Sequence, residues 1–284
     1  MKLSKIFALL LALCLISSAA CAATFTDAHG NVIELDDSLE AYAAVTLVGA
    51  DNAARQGETN LGDLWADALR WFAVSGEINA AFDEDDVKAG NDRIAVDADH
   101  VVALWNGGNL RADIAEGTFG AEALAEVLPF PNKVAVVYMT GAQLLETLEA
   151  ASQGLPYTAE TADACASLMQ VSGLSYTVDT AKAYDALEAY GDHWFTAGSV
   201  SRVRIDDVNG QPFDAEATYA VVTSNANFNG MDSSYVLKSA AEANEQSAVT
   251  TAVVRDVVFR FIAAELNHQV GEAYAAPQGR LTIL

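Results

Sequence analysis

Basic residues and cysteines are scarce in this 284-residue sequence, and their scarcity excludes several classes of protein. Lys and Arg total 15 against 39 Asp and Glu, which gives a formal net charge of -24. Binding to a nucleic-acid backbone or to an anionic membrane surface needs clustered Lys and Arg, so neither is expected as a partner. The three cysteines include no Cys-x-x-Cys pair, so thiol chemistry is not expected either. With 52% hydrophobic and 19% charged residues, the chain is expected to bury a large core.

The first twenty residues have the pattern of a secretory signal. Lys2 and Lys5 precede an apolar run at 6–16, and small residues follow at 17–20. A run of about 11 apolar residues is shorter than the roughly 20 that span a bilayer. The sequence therefore predicts a signal within residues 1–22 and export to an extracellular, cell-surface or periplasmic location.

Cys21 leaves two processing routes open. After Ser18-Ala19-Ala20 it fits a lipoprotein site, where lipidation of this cysteine would anchor the chain to a membrane. Ala20-Cys21-Ala22 also fits ordinary signal cleavage. By the first route Cys165 is a lone thiol, and by the second the two cysteines could pair. We expect a buried, unreactive Cys165.

Periodicity predicts helices and strands that interleave along the rest of the chain. Strands are predicted at 101–105, 133–139, 169–178, 200–206 and 218–224, and helices at 61–73, 121–127, 141–151 and 247–269. A hairpin is predicted at 24–35, Asn60 and Thr140 are candidate helix N-caps, and the segment 180–198 is interpreted as an insertion loop. This order favours a mixed sheet, or two sheets, covered by helices.

Histidines are too scattered to predict a metal centre. Asp27-Ala28-His29 has the D-x-H form used by dimetal phosphoesterases, but two ions need further Asp, Asn and His ligands. His100, His193 and His268 each stand alone in the sequence. We therefore interpret Asp27 and His29 as turn residues and predict no catalytic residue, no metal site and no cofactor in this chain.

A glycine loop after the strand at 101–105 is the candidate ligand site. Asn106-Gly107-Gly108 ends this strand, and Arg111 follows in the same loop. Glycines let the backbone approach a ligand closely, Asn106 offers a donor and an acceptor, and Arg111 can hold a carboxylate or phosphate with two hydrogen bonds. A glycine turn with a structural arginine is the alternative interpretation.

Six motifs, in order, resemble the C-terminal domain of the 5'-nucleotidase family. They are Arg55 to Ala68, Asn106-Gly107-Gly108 with Arg111-Ala112-Asp113, Glu126 to Phe130, Thr140 to Leu144, Gln170 to Leu174 and Gly279-Arg280-Leu281. The resemblance covers residues 45–284 and implies a four-layer α-β-β-α sandwich of the α/β (α+β) class, preceded by a hairpin and linker at 23–44. It also implies that the family's metallophosphatase half, which performs the hydrolysis, is missing from this chain.

The resemblance further implies a substrate site. Arg55, Asn106 and Arg111 resemble polar groups that contact the substrate, and Phe130 resembles one of two aromatic residues that sandwich the base. Stacking on a base contributes about 1–3 kcal/mol, and Arg suits phosphate or ribose oxygens. A core position after a proline is the alternative for Phe130. The candidate substrate-binding residues are Arg55, Asn106, Gly107, Gly108, Arg111, Phe130, Phe228 and Asp232.

The last site motif departs from the family pattern. Ala226 stands where the second stacking aromatic is expected, and Met231 and Ser233 replace two glycines. Phe228 or Tyr235 are the candidates to replace the missing ring. Without a replacement, half of the sandwich is lost, at a cost of about 1–3 kcal/mol in binding.

Three functions follow from the resemblance. The chain is an exported module that binds a nucleotide or nucleoside without catalysis, or it is the specificity subunit of a phosphohydrolase, with a separate metallophosphatase chain that brings divalent metal ions. The third alternative is a surface scaffold with a decayed pocket. Ligand-induced stabilisation separates the first from the third, because a ligand at 100 times its Kd stabilises a fold by about 2.7 kcal/mol.

Overall fold

The computed structural model describes residues 40–82, 94 and 96–284, together with the backbone of two short strands nearer the N-terminus. The strands are β1 Thr24–Thr26, β2 Val32–Glu34, β3 Ala41–Ala43, β4 Val101–Asn106, β5 Gly117–Phe119, β6 Lys133–Thr140, β7 Met169–Ser172, β8 Leu174–Val178, β9 Ala186–Tyr190, β10 Trp194–Ala197, β11 Val203–Val208, β12 Thr218–Ser224, β13 Ala248–Val253, β14 Gln269–Val270 and β15 Leu281–Ile283. The helices are α1 Ala53–Gln56, α2 Asn60–Val74, α3 Ala121–Val127, α4 Gly141–Ala151, α5 Asn225–Phe228, α6 Tyr235–Ala243 and α7 Val254–Ala264. None of these described helices is long and apolar enough to span a bilayer.

A five-stranded sheet forms the centre of the fold, in the order β13-β6-β12-β4-β7. β12 runs parallel to β4 and antiparallel to β6, and β7 and β13 pair antiparallel at the two edges. Two smaller sheets have the orders β11-β8-β15 and β14-β3-β5. All six residues of β4 are buried, as expected for a strand with both faces covered.

Two hydrophobic cores lie on opposite faces of the five-stranded sheet. Alternate residues of β4 divide between them: Val101, Ala103 and Trp105 belong to the first core, and Val102 and Leu104 to the second. The first core packs α2 and α7 against the sheet, and the second packs α4, α6 and the β11-β8-β15 sheet. The predicted α/β class, with sheets covered by helices, is confirmed.

Helix α2 lies where the sequence predicts it, but its N-cap differs. Thr59 Oγ1 accepts a hydrogen bond from Gly62 N at 3.0 Å, so Thr59, and not Asn60, is the cap. The Asn60 amide instead donates to the carbonyl oxygens of Thr46 and Tyr274, at 3.0 and 2.9 Å. Asn60 therefore ties two loops to the helix. The predicted cap of α4 is confirmed, because Thr140 forms a capping box at its start.

The strand predicted at 169–178 is two strands in two sheets. Gly173 separates them with a left-handed backbone (φ 79°), so β7 joins the five-stranded sheet and β8 the smaller one. A Cβ at this position would lie 2.7 Å from Arg70 Nε and 2.8 Å from the Val101 carbonyl oxygen. Only glycine fits this crossing point.

The long helix predicted at 247–269 is wrong at both ends, since the helix ends at Ala264 and Gln269 begins β14. Residues 248–253 form β13, which pairs with β6, and only α7 is helical. The β-branched run at 249–251 favours a strand, and Thr250 Oγ1 donates to the Val134 carbonyl oxygen at 2.9 Å. The apolar period of a helix begins only at Val254.

The segment interpreted as an insertion loop is largely a β-hairpin. β9 and β10 pair antiparallel, with Tyr190 opposite Trp194, around a turn in which Gly191 has φ 73°. This hairpin, residues 186–197, borders the cavity described below. β1 and β2 also pair antiparallel, as the hairpin predicted at 24–35 requires.

Several sequence predictions lie outside the described residues. The signal segment, Cys21 and the turn that holds Asp27 and His29 belong to this group. Cys165 is described: it is free and buried, and burial raises the pKa of its thiol. A buried thiol with a raised pKa is a poor nucleophile, as expected for this cysteine.

A cluster of polar side chains fixes the C-terminal segment to α2. We call it the C-terminal lock, and it consists of Glu58, Asp63, Asp67, Tyr274 and Arg280. Glu58 accepts a hydrogen bond from the backbone N–H of Arg280 at 3.0 Å. Arg280 Nη1 and Nη2 reach the two carboxylate oxygens of Asp67 at 2.8 and 2.9 Å, and Tyr274 Oη donates to Asp67 at 2.9 Å. The Gly279-Arg280-Leu281 motif therefore has a structural role.

Asp63 is the least satisfied member of the lock. Burial, together with the neighbouring charge of Glu58, raises the pKa of Asp63 to about 8. Its Oδ1 accepts no hydrogen bond from the described residues, and Arg280 Nη1, at 3.8 Å, is too far away to donate one. A protonated Asp63 would gain a hydrogen to share with Glu58, so the neutral form suits this site.

Candidate functional site

A cavity of about 340 Å³ opens beside the glycine loop that follows β4. Its volume lies in the range of small-molecule sites. Five predicted site residues line it: Arg55, Gly108, Arg111, Phe130 and Asp232. The other lining residues are Asn109, Asp163, Ala166, His193, Trp194 and Met231. The fold thus brings together most of the residues that the sequence nominates.

Arg111 is the cavity cation whose guanidinium makes no hydrogen bond and no ion pair with the described residues. Its backbone N–H donates to the Val127 carbonyl oxygen, and its Cζ lies 5.7 Å from the centre of the Phe130 ring. Among residues 40–82, 94 and 96–284, its guanidinium has no hydrogen-bond or ion-pair partner. Burial, and next the charge of Arg55, lower the pKa of Arg111. A bound anion would relieve this repulsion.

Arg55 is already held by the protein. It lies on α1 and is buried, and its Nη1 donates to the Ala162 carbonyl oxygen at 2.8 Å. The same nitrogen is 3.6 Å from Asp163 Oδ1, and His193 Nε2 is 3.8 Å from Asp163 Oδ2. Because the Asp163 side chain is 71% exposed, these ion pairs are weak. Arg55 therefore adds a fixed positive charge to the cavity.

Asn106 lies behind the cavity and positions Asp232. It is 1% exposed, its Nδ2 donates to Asp232 Oδ2 at 3.0 Å, and its Oδ1 accepts from Asn109 Nδ2 at 2.8 Å. Burial raises the pKa of Asp232. Within the described part of the chain, the other carboxylate oxygen of Asp232 receives no hydrogen bond. That oxygen is available to a ligand hydroxyl.

The two glycines of the loop allow close packing of protein on protein. A Cβ on Gly107 would lie 1.9 Å from the Ala54 carbonyl oxygen on α1, and one on Gly108 would lie 2.7 Å from Ala166 Cβ. Gly108 also lines the cavity. Because neither glycine has a side chain, the loop packs directly against α1, which carries Arg55. The two glycines therefore shape the site.

The predicted aromatic residues have different environments. Phe130 is 43% exposed at the cavity, so it is not the core residue of the alternative interpretation. Phe228 packs against the second hydrophobic core. Tyr235 Oη donates to Glu146 Oε1 at 2.9 Å, and its ring contacts Tyr190. Neither Phe228 nor Tyr235 is among the cavity-lining residues.

Asp163, His193 and Trp194 are site residues that the sequence did not nominate. They belong to segments that carry no family motif, and only the fold brings them to Arg55. The signal that was available is the run His193-Trp194-Phe195, three aromatic rings in an otherwise polar stretch. No group of three or more His, Cys, Asp and Glu in the described ranges is arranged to hold a metal ion.

Comparisons with known proteins agree with this fold. The sequence profile described as 5'-nucleotidase, C-terminal domain, matches residues 40–239. The trifunctional nucleotide phosphoesterase protein YfkN of Bacillus subtilis (strain 168) is 30% identical over 186 residues, which are 65% of this chain and 10% of that protein.

Solved structures give the same result. The 5'-nucleotidase precursor from Thermus thermophilus aligns with a TM-score of 0.62 and 28% identity, over 87% of this chain and 39% of that chain. The NAD nucleotidase of Haemophilus influenzae shares the fold, with a TM-score of 0.57 and 14% identity, over 92% of this chain and 48% of that chain. The chain thus spans less than half the length of each of these relatives. Because the profile covers most of its residues, the protein belongs to the 5'-nucleotidase family, through that family's C-terminal domain.

Proposed function

We propose that this chain is an exported module that binds nucleotides or nucleosides and does not hydrolyse them by itself. The observation that carries the proposal is the guanidinium of Arg111, which has no hydrogen-bond or ion-pair partner in the described chain and lies over the exposed ring of Phe130. An unpaired arginine beside an accessible aromatic ring suits an anion attached to a base. The names of YfkN and of the T. thermophilus relative, both of which act on nucleotides, support this ligand class.

Each group of a nucleotide has a complementary residue in the cavity. Phe130 offers a ring for the base, and Arg111 offers paired N–H donors for phosphate or ribose oxygens. Arg55 adds a second positive charge nearby, and Asp232 can accept a hydrogen bond from a ribose hydroxyl. In this arrangement Asn106 acts on the ligand indirectly, through Asp232.

Recognition in this protein has to be local. The formal net charge of -24 repels an anionic nucleotide at long range. At physiological salt this repulsion is screened over about 8–10 Å. Inside the cavity, Arg55 and Arg111 are therefore the positive charges that an anionic group would meet.

Export is part of the proposal. The basic, apolar and small-residue order of residues 1–20 supports a secretory signal. Acylation of Cys21 would keep the module at a membrane through its lipid, and ordinary cleavage would release it. Mass spectrometry of the mature protein distinguishes the two, since only the first adds acyl chains to the N-terminal residue.

The binding proposal is tested by the melting temperature of the purified chain with AMP and with adenosine. At 100 times its Kd, a ligand should stabilise the fold by about 2.7 kcal/mol and raise the melting temperature. Arg111→Ala should remove the shift produced by AMP. Arg204→Ala is the matched control, because the Arg204 side chain is 74% exposed and pairs with Asp206, outside the cavity. If no nucleotide or nucleoside raises the melting temperature, the binding proposal is wrong and the scaffold alternative stands.

A second candidate function is that of a hydrolase specificity subunit. The comparison with the T. thermophilus 5'-nucleotidase motivates it, because the matched region is 39% of that hydrolase, which therefore contains further residues besides this domain. Under our proposal the purified chain releases no phosphate from AMP with added Mn²⁺. Release that begins only when a separate metallophosphatase chain is added would favour the subunit function. Release by this chain alone, surviving repurification, would contradict both.

A further inference from the structure

The hairpin at 186–197 is held rigidly against the cavity. Trp194 Nε1 donates to the Ala164 carbonyl oxygen at 3.2 Å, close in sequence to Ala166, on which Gly108 packs. Phe195 N donates to Gln153 Oε1 at 2.9 Å. On the other strand, Tyr190 Oη donates to the Gly230 carbonyl oxygen at 2.7 Å. The hairpin is thus joined to the segment of Ala164, on which the glycine loop packs, and to the segment of Gly230, which precedes Asp232.

Trp194 is the residue by which this hairpin reaches the ligand site. Its side chain is half-buried and lines the cavity together with Phe130. The hydrogen bond of its indole N–H is satisfied by the protein, which fixes the position of the ring. His193 contacts the ring in a T-shaped arrangement, with 5.6 Å between centroids. A fixed indole in a cavity of this size is suited to stacking on a planar group.

Other aromatic side chains near the last site motif do not supply a second ring. Ala226 has none, Phe228 packs into the second core, and the hydroxyl of Tyr235 is held by Glu146 and by Ala197 N. Among the residues that line the cavity, the large aromatic rings are those of Phe130 and Trp194. A planar ligand has two faces. Phe130 and Trp194 come from separate segments of the chain, so each ring is available to a different face.

We propose that Trp194 supplies the second stacking surface for a nucleobase, so that the hairpin at 186–197 determines base recognition in this protein. The inference rests on the proposed nucleotide-binding function of the same cavity. It assigns to an inserted hairpin the role that Ala226 cannot perform. Since stacking grows with the area of the ring systems, bicyclic purines bind more tightly than pyrimidines in such a site.

Calorimetry with AMP tests this role on three variants. Trp194→Ala raises the Kd for AMP by roughly tenfold to a hundredfold, because one stacked face is lost. Trp194→Phe, which keeps a ring, changes the Kd by no more than about threefold. Leu187→Ala is the control: Leu187 lies on the same hairpin, is 67% exposed and is not part of the cavity wall. Its Kd equals that of the wild type.

Tryptophan fluorescence adds a readout that a purely structural role would not move. Of the four tryptophans, Trp65 and Trp105 are fully buried, Trp71 packs against the first core, and Trp194 lines the cavity. AMP quenches the wild-type emission, and Trp194→Phe removes this quenching while binding persists. If Trp194→Ala binds AMP like the wild type, or if quenching persists in Trp194→Phe, the inference is overturned and the binding proposal stands. If the wild type binds no nucleotide, both are overturned.

Discussion

Two groups of charged side chains, the C-terminal lock at α2 and the cavity beside α1, differ in how far their hydrogen bonds and charges are satisfied within the protein. In the C-terminal lock, Arg280 is bound by both oxygens of Asp67, and Glu58 accepts backbone N–H groups. In the cavity, the Arg111 guanidinium has no hydrogen-bond or ion-pair partner in the described chain, and one carboxylate oxygen of Asp232 accepts no hydrogen bond there.

This difference indicates that the C-terminal lock stabilises the fold and that the cavity is available to bind a ligand. An arginine whose donors are satisfied internally stabilises the fold, and its loss leaves buried carboxylates without a partner. An arginine left unsatisfied at an accessible site contributes little to stability, and its donors are free for a ligand. Both groups include residues of the family motifs, so the motifs alone do not distinguish their roles. Substitutions in each group distinguish them by their effects on stability and on binding.

The largest effect on stability is expected for Arg280→Ala. This change removes the cation that binds both carboxylate oxygens of Asp67, and should lower the free energy of unfolding by about 3–5 kcal/mol. Urea denaturation measures it. Arg111→Ala, in the cavity, should cost about 1 kcal/mol or less. If the two variants lose the same free energy of unfolding, the C-terminal lock and the cavity do not differ in what their arginines contribute to stability.

A smaller loss is expected when a methyl group is added between the glycine loop and α1. Gly107→Ala places a Cβ 1.9 Å from the Ala54 carbonyl oxygen, and overpacking of this kind costs about 1–3 kcal/mol. It should also weaken AMP binding, since α1 carries Arg55. Gly271→Ala is the control, because a Cβ there meets nothing within 4 Å. If Gly107→Ala binds AMP with unchanged affinity, the position of α1 does not shape the cavity.

The lock should also make stability depend on pH. The pKa of Asp63 is raised in the folded state from an ordinary 3.8 to about 8, so the fold favours the protonated form. The contribution of protonated Asp63 to the free energy of unfolding is complete below pH 4 and is lost as the pH rises through about 8. Asp63→Asn is neutral at every pH, so the free energy of unfolding of this variant should fall less between pH 4 and pH 8. Urea denaturation measures this free energy across that pH range. If it falls equally with pH in the wild type and in Asp63→Asn, the raised pKa of Asp63 is contradicted.

Sequence patterns predicted those parts of the fold that have one clear periodicity. Helix α2 and strands β4, β6 and β12 lie where the sequence places them, because a single buried face or a continuous apolar run defines each. The errors at 169–178 and 247–269 have a different origin. Gly173 divides one apolar run between two sheets, and the predicted helix extends the apolar period of α7 backwards over a β-branched segment that pairs with β6.

The candidate site was predictable only where it lies in motifs. Arg55, Arg111, Phe130 and Asp232 converge on one cavity, as the resemblance implies. Trp194 reaches the same cavity through a hairpin whose contacts with Gln153 and Gly230 come from residues far apart in sequence. No local pattern encodes such contacts, so the structure was needed to find them.

Arg111 makes no hydrogen bond or ion pair with the described residues through its guanidinium, and we attribute this to its role in binding a ligand. Calorimetric titration of AMP into the wild type and into Arg111→Ala tests this most directly, with Arg204→Ala as the control for removing an arginine. We expect the wild type and Arg204→Ala to bind AMP alike, and Arg111→Ala to bind it roughly tenfold to a hundredfold more weakly, because a charged hydrogen-bond donor is lost. An unchanged Kd in Arg111→Ala would contradict this role in binding.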